Sequence, residues 1–282
     1  KGIFLGFQMS NHALPTSLVN AIKFGIPLTN ESTAIWSRNL PQSCIVFVHG
    51  WGGRAVHTWG DFPKLAIDAP EFAKTDLLFI GYESRSASAS YNSGVIYSLV
   101  RQIATAPSEL ISEVKGPARD STFQYERIVL IGHSLGGALV RDVAMSAKRE
   151  RDPWAERIHL GLFAPAHLGA NVIDLIKTGS GFLRWAGLVE AVAIAASPVL
   201  RDLKPDSAYI RSLTKIAEEI GEHCTTKAKF VAHASNDRVV SQDRFFRDPP
   251  IVPYPNQNHV SCCKPSDPRF ISPITNVSIT IT

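Results

Sequence analysis

The chain has 282 residues, 45% of them hydrophobic, and 29 Lys and Arg against 25 Asp and Glu give it a formal net charge of +4. That hydrophobic share is enough to fill a core, which argues against disorder, and the mild, interspersed charge argues against a nucleic-acid surface built on bulk positive charge. No stretch reaches the roughly 18 uncharged apolar residues of a membrane span. The nearest, residues 185–200, is broken by Glu190 and Pro198. The densest charged run, "AKRERD" at 147–152, follows an apolar helical stretch and reads as a solvated helix end. Four cysteines (Cys44, Cys224, Cys262, Cys263) make no disulfide framework in a chain this long and read as a reducing, cytoplasmic setting. The chain opens on Lys1, shows no secretory signal and closes on the strand-like run "NVSITIT". It reads as a single domain over 1–282, excised from a longer protein whose other domains would be its partners.

In chain order, residues 1–40 carry no pattern that assigns them a role. "SCIVFVHG" (43–50) is a continuous apolar run, the pattern of a strand buried on both faces. "DLLFIGY" (76–82), "RIVLIGH" (127–133), "RIHLGLFAPA" (157–166) and "AKFVAHAS" (228–235) repeat that pattern. A further candidate, "PIVPY" (250–254), is weakened by its prolines. The serine-rich "ESRSASAS" (83–90) reads as a loop, and helical periodicity covers 93–106, 134–149 and 207–221. Asp206 or Ser207 would cap the last of these helices. The alternation predicts an α/β fold, a mostly parallel sheet with helices on both faces. Residues 170–224 break the rhythm with helical pattern alone, and read as a cap or lid inserted before the strand at 228–235.

Ser134 lies in "IGHSLGG", between an apolar strand and a helical stretch. Gly132 and Gly136 permit a sharp strand–turn–helix that lifts the hydroxyl above the carboxyl edge of the sheet, and Gly137 lets the helix pack close to the strand. A serine hydroxyl is a poor nucleophile at neutral pH and needs a base, which needs an orienting acid. Asp237 in "SNDRVV" and His259 in "NHVSCCKP" follow strand candidates, at the sheet rim where open α/β folds place their sites. Asp202 and Asp206 are rival acids, and His167 in "APAHLGA" is the second choice of base. His49 and His133 sit within motif loops, while His159 and His233 lie in strands, as core histidines do. The glycines of "HGWGG" (49–53) free backbone N–H groups, so Trp51 and Leu135 are the candidate oxyanion donors. The chain has no paired zinc-site spacing, no Gly-x-Gly-x-x-Gly and no phosphate loop, so the reading calls for no metal, no cofactor and no nucleic acid.

"HGWGG", "GHSLGG", "SNDRVV" and "NHVSCCKP" stand in an order and spacing that resemble the α/β-hydrolase family from about residue 43 to 265. "APAHLGA" and "DLKPDSAYIRSL" are similar to stretches in the serine-esterase and lipase branch that includes GPI inositol-deacylase-like proteins. The chain departs from that branch at Ala166 and Ala170, where hydroxyl residues are common. The resemblance implies an α/β-hydrolase fold, a Ser134–Asp237–His259 triad and carboxylic ester substrates, often lipids. The expectation is a serine esterase, acting on small-molecule or lipid esters and in contact with a membrane surface where the ester is lipid. A peptidase or thioesterase with the same triad, or a regulated effector or binding domain, remains the alternative. Residues 181–200 carry only Arg184 and Glu190 as charges, so Leu188 and Val192 are the candidate contacts for an acyl chain.

Overall fold

Five continuous apolar runs form the middle of one sheet. The computed structural model describes residues 18–20, 32–179, 197–221, 226–266 and 268–281. The strands are β1 (Leu18–Asn20), β2 (Thr33–Ile35), β3 (Ser43–Val48), β4 (Thr75–Ile80), β5 (Arg127–His133), β6 (Ile158–Phe163), β7 (Ala228–Ala234) and β8 (Val252–Tyr254). The described helices include α1 (Phe62–Asp68), α2 (Ala89–Thr105), α3 (Pro107–Glu113), α4 (Leu135–Arg149), α5 (Val172–Gly179), α6 (Pro198–Asp202), α7 (Ala208–Ile220) and α8 (Ser272–Ser278).

The sheet runs β1-β2-β4-β3-β5-β6-β7-β8. Strands β3 to β8 are parallel to their neighbours among themselves, and β2 is antiparallel to both β1 and β4. Every residue of β3 and β4 is buried. That is why these strands read as near-continuous apolar runs, with Ser43, Thr75 and Asp76 as buried polar exceptions, since a parallel strand covered on both faces has no solvent side to alternate with. Phe47 of β3 makes the clearest lateral contact. Its ring lies 4.8 Å from Phe62 of α1, 5.0 Å from Trp59 and 4.5 Å from Phe79 of β4.

On the α4 side, α2 and α7 pack against α4. The Arg141 side chain of α4 is buried and paired with the Asp248 carboxylate. It also donates to the Thr226 carbonyl at 3.0 Å and to His167 Nδ1 at 3.2 Å, and lies 4.5 Å over the Phe245 ring. The other Asp248 oxygen accepts the Ala228 N–H at 3.0 Å. This cluster fastens α4 to the start of β7. Removing one partner of such a pair costs about 3–5 kcal/mol, because it strands a buried charge.

Two local departures from the sequence reading have physical causes. The "NVSITIT" run is not a strand: Pro273 occupies the first turn of α8, and Val277 is buried from that helix. Helix α2 begins at Ala89, inside the serine-rich stretch, because Ser88 caps it by accepting the Tyr91 N–H at 3.1 Å. The 250–254 candidate does form β8, and Pro253 is tolerated because β8 ends the sheet order. Ser207, not Asp206, caps α7 by accepting the Ile210 N–H at 3.2 Å. Within the 170–224 segment, α7 packs on α4 as the crossover helix into β7. Among the described residues no helix is long and apolar enough to cross a membrane.

Candidate active site

Strand β5 ends at His133 and α4 begins at Leu135, so one residue makes the whole reversal. That residue is Ser134, at φ 54° and ψ −121°. A non-glycine backbone in this region costs on the order of 1–3 kcal/mol and persists only where its surroundings enforce it. Here the Ser134 N–H donates to the Phe163 carbonyl at 3.0 Å. The Ser134 carbonyl accepts from Gly137 at 2.9 Å and from Ala166 at 3.0 Å. At Gly136 a Cβ would stand 2.0 Å from the Val48 carbonyl oxygen, so only glycine lets the start of α4 press against the end of β3.

The other two residues arrive from the β7 and β8 ends of the sheet. Asp237 follows β7 in a turn closed by its N–H on the Ala234 carbonyl at 3.1 Å. His259 follows β8 in a turn organised by Asn258, whose Oδ1 accepts the Val260 and Ser261 N–H groups at 3.0 Å each. His259 Nε2 lies 2.9 Å from Ser134 Oγ, and His259 Nδ1 lies 2.8 Å from Asp237 Oδ2. Ser134 is 1% exposed, His259 4% and Asp237 8%, so both hydrogen bonds are shielded from bulk water. Asp237 Oδ1 accepts the Val239 N–H at 2.8 Å and the Val240 N–H at 3.4 Å, which fixes the carboxylate plane. Burial pushes the Asp237 carboxyl up, but the His259 hydrogen bond and charge together with those two N–H groups outweigh it and hold it below its usual value. An ionised Asp237 can only accept, so Nδ1 carries the ring proton and Nε2 is left to accept from the Ser134 hydroxyl.

The "HGWGG" loop rides on the serine. A Cβ at Gly50 would stand 2.9 Å from Ser134 Cβ. The loop is held by Gly53 N–H on the Gly50 carbonyl at 3.0 Å and Gly52 N–H on Ser84 Oγ at 3.1 Å. Tyr82 Oη–H donates to the His49 carbonyl at 2.5 Å, and its ring stacks 4.4 Å from the His49 ring. Among the described residues, neither the Trp51 nor the Leu135 backbone N–H has a protein acceptor.

The sequence pattern of the Alpha/beta hydrolase family matches residues 45–266. The chain belongs to the alpha/beta hydrolase family. The hydrolase also resembles solved structures at low identity. A lipase from Bacillus licheniformis, BlEst2 in its mature form, matches at TM-score 0.57 and 15% identity, over 88% of this chain and 98% of that one. A soluble variant of monoglyceride lipase from Saccharomyces cerevisiae matches at 0.50 and 11%, over 97% and 98%. The 2-hydroxy-6-oxo-6-phenylhexa-2,4-dienoate hydrolase from Rhodococcus sp. strain RHA1 matches at 0.50 and 13%, over 94% and 99%. At these identities the likeness speaks for the fold. A comparison with curated proteins finds no match.

The hydrolase leaves the rival residues elsewhere. Asp202 Oδ2 accepts the Ala89 N–H at the start of α2, at 2.8 Å. Asp206 lies exposed in the turn before α7, and His167 accepts from Arg141. Leu188 and Val192 lie outside the described residues. Among the described residues, no cluster of three or more His, Cys, Asp or Glu is arranged to hold a metal. Two contacts escape a reading of sequence. Tyr82 reaches the His49 carbonyl, and His133 Nε2 lies 2.7 Å from the carbonyl of His259, 126 residues away. "GHS" and "IGY" announce that a His and a Tyr sit at strand ends, but nothing in the chain announces a backbone carbonyl as their partner.

Proposed function

We propose that this hydrolase cleaves carboxylic esters by a serine mechanism, with Ser134 as nucleophile, His259 as general base and acid, and Asp237 as its orienting partner. The observation that carries the reading is the buried line Ser134 Oγ–His259 Nε2 at 2.9 Å and His259 Nδ1–Asp237 Oδ2 at 2.8 Å. As Ser134 Oγ attacks the ester carbonyl carbon, its proton passes to His259 Nε2, and the resulting imidazolium is stabilised by ionised Asp237. The Trp51 and Leu135 N–H groups, free of protein acceptors, are assigned to the developing oxyanion. Collapse of the tetrahedral intermediate expels the alcohol, which takes the proton from His259. Water then attacks the acyl-enzyme by the same route, releasing the acid and restoring Ser134.

The finer assignment is to esters of apolar acyl chains, in the manner of the GPI inositol-deacylase-like esterases that the motifs resemble. Two of the fold neighbours named above are lipases, which supports that direction without identifying a substrate. We assign the cap role to α5, α6 and the apolar sequence between them, leaving α7 to the body of the fold. The test is labelling with a fluorophosphonate, which needs an activated serine, combined with hydrolysis of p-nitrophenyl esters. Wild-type protein should label, and Ser134→Ala should neither label nor turn over, with a loss of roughly 10³-fold or more. Retained hydrolysis in a folded Ser134→Ala protein would overturn the proposal. Faster turnover of matched amides or thioesters than of esters would keep the triad and replace the substrate class.

A further inference from the structure

We infer that His133, the residue just before the nucleophile, is a positioning residue that holds the base histidine by its backbone; this rests on the Ser134–His259–Asp237 reading. His133 is the last residue of β5, and its side chain is buried. Its Nε2 lies 2.7 Å from the His259 carbonyl oxygen, and the two rings lie 5.1 Å apart with 45° between their planes. A carbonyl can only accept, so the His133 proton sits on Nε2 and Nδ1 is bare. Nδ1 is buried with no hydrogen-bond partner among the described residues, so nothing pulls the ring to the other tautomer. Burial, with the neighbouring His259 charge adding to it, pushes the His133 ring down to about 3, so it stays neutral across the working range.

The arrangement matters because of what else holds His259. Its side chain is held by Asp237 at one nitrogen, and the other must be free to exchange a proton. The turn that carries it is closed by bonds within itself, from Val260, Ser261 and Cys262 back to Asn258. The His259 carbonyl receives two donors, His133 Nε2–H and the Cys262 thiol at 3.3 Å. Cys262 moves with the loop, and only His133 belongs to the strand that ends in the nucleophile. Base and nucleophile therefore share one mount, and a shift of that loop is resisted at the residue beside Ser134. Displacing a catalytic group by about 1 Å can cost on the order of 10²-fold in rate.

The test compares His133→Phe, which keeps a buried ring without a donor, with His133→Gln, whose amide nitrogen reaches the place of Nε2. We expect kcat for a p-nitrophenyl ester to fall about 10- to 100-fold in H133F with KM within about twofold, and H133Q to recover most of it. The acid limb of kcat/KM should not move in either variant, since a neutral ring is exchanged for a neutral group. Wild-type kcat in H133F overturns the inference. So does an H133Q as slow as H133F at unchanged melting temperature, or an acid limb that shifts in both, which would mean an electrostatic role. Should H133F not fold, His133→Asn carries the test: its amide stops short of the carbonyl, and it should lose kcat as H133F would, with wild-type kcat again overturning the inference. Ser134→Ala is assayed alongside. If it stays active the triad reading itself fails, whereas an inactive Ser134→Ala beside a fully active H133F defeats only the role given to His133.

Discussion

The Gly136 Cα stands so close to Val48 that a Cβ there would lie 2.0 Å from the Val48 carbonyl oxygen, and that oxygen is backbone, which cannot swing aside. Gly136→Ala should therefore push α4 off β3 and destabilise the protein by about 3 kcal/mol or more, an overpacking cost at the upper end of the usual range. Gly50 meets the serine itself, its Cβ position 2.9 Å from Ser134 Cβ, on a loop and not on a helix. Gly50→Ala should keep most of the stability but lower kcat by roughly 10²-fold, as the loop lifts from the nucleophile. Thermal melts and ester kinetics on the two variants separate these outcomes. Equal losses of stability would mean that the loop is as fixed as the helix.

Asp237→Asn should fold normally and lower turnover by up to about 10⁴-fold. An amide in place of the carboxylate can present an N–H to Nδ1 and favour the wrong tautomer of His259. Asp202→Asn is the matched control. It weakens an acceptor for the Ala89 N–H at the start of α2, so it should cost about 1 kcal/mol of stability and leave kcat in place. A large kcat loss in Asp202→Asn with a mild Asp237→Asn would reverse the assignment of the acid.

Asp76 predicts a pH dependence of stability far from the site. Burial pushes its carboxyl up to about 6, against the opposing help of the Ser37 N–H at 2.7 Å, the Tyr125 hydroxyl at 2.7 Å and Arg119 at 3.7 Å. Its reference value in an unfolded chain is about 3.9. Between those values the folded protein holds a proton that the unfolded chain has released, so stability falls as pH rises from about 4 to 6. The full effect is at most about 3 kcal/mol. His49, pushed down to about 4, and His133, pushed down to about 3, act in the opposite sense, since their unfolded rings bind protons first as pH falls. The quantity to measure is therefore the difference between wild type and Asp76→Asn in urea unfolding, at steps from pH 4 to 7. It should move in favour of the variant as pH rises. A difference independent of pH would show that Asp76 titrates alike in the folded and unfolded chain.

If the apolar sequence 181–200 receives acyl chains, kcat/KM for p-nitrophenyl esters should climb from acetate to medium chains. The ceiling is about 0.8 kcal/mol, or nearly fourfold, per buried methylene. Leu188→Asp or Val192→Asp should flatten that climb and spare acetate. Acetate as the best wild-type substrate would remove the acyl-chain reading and leave the serine chemistry untouched.

The middle of the fold was legible because its physics is local. A strand covered on both faces must be largely apolar, and β3, β4 and β5 are so apart from polar residues at their ends. Ser134 was legible because a one-residue reversal between strand and helix demands glycines on both sides. Strand β2 was not, because three residues between turns carry too little periodicity to read. Helices α1, α3 and α8 carry a proline at their first or second position, which looks like a break in sequence yet suits a first helical turn. The β-branched residues of "NVSITIT" favour a strand, and the N-terminal proline and burial of Val277 prevailed. At the site, the sequence placed Asp237 and His259 at strand ends, and the structure brings both to Ser134. Contacts made through backbone carbonyls, such as His133 with His259, leave no residue-type trace at the receiving end.

The strand order has a consequence for synthesis. Ser134 follows the central strand β5, whereas Asp237 and His259 follow β7 and β8, which come later in the chain and form one edge of the sheet. A nascent chain that has emerged only as far as β6 owns the serine and the glycine loop but neither Asp237 nor His259. Its hydroxyl is then no more reactive than any other serine's. On the proposed triad, the centre is armed only when that edge of the sheet docks, so reactivity is acquired with β7 and β8 and not with the strand that carries the serine.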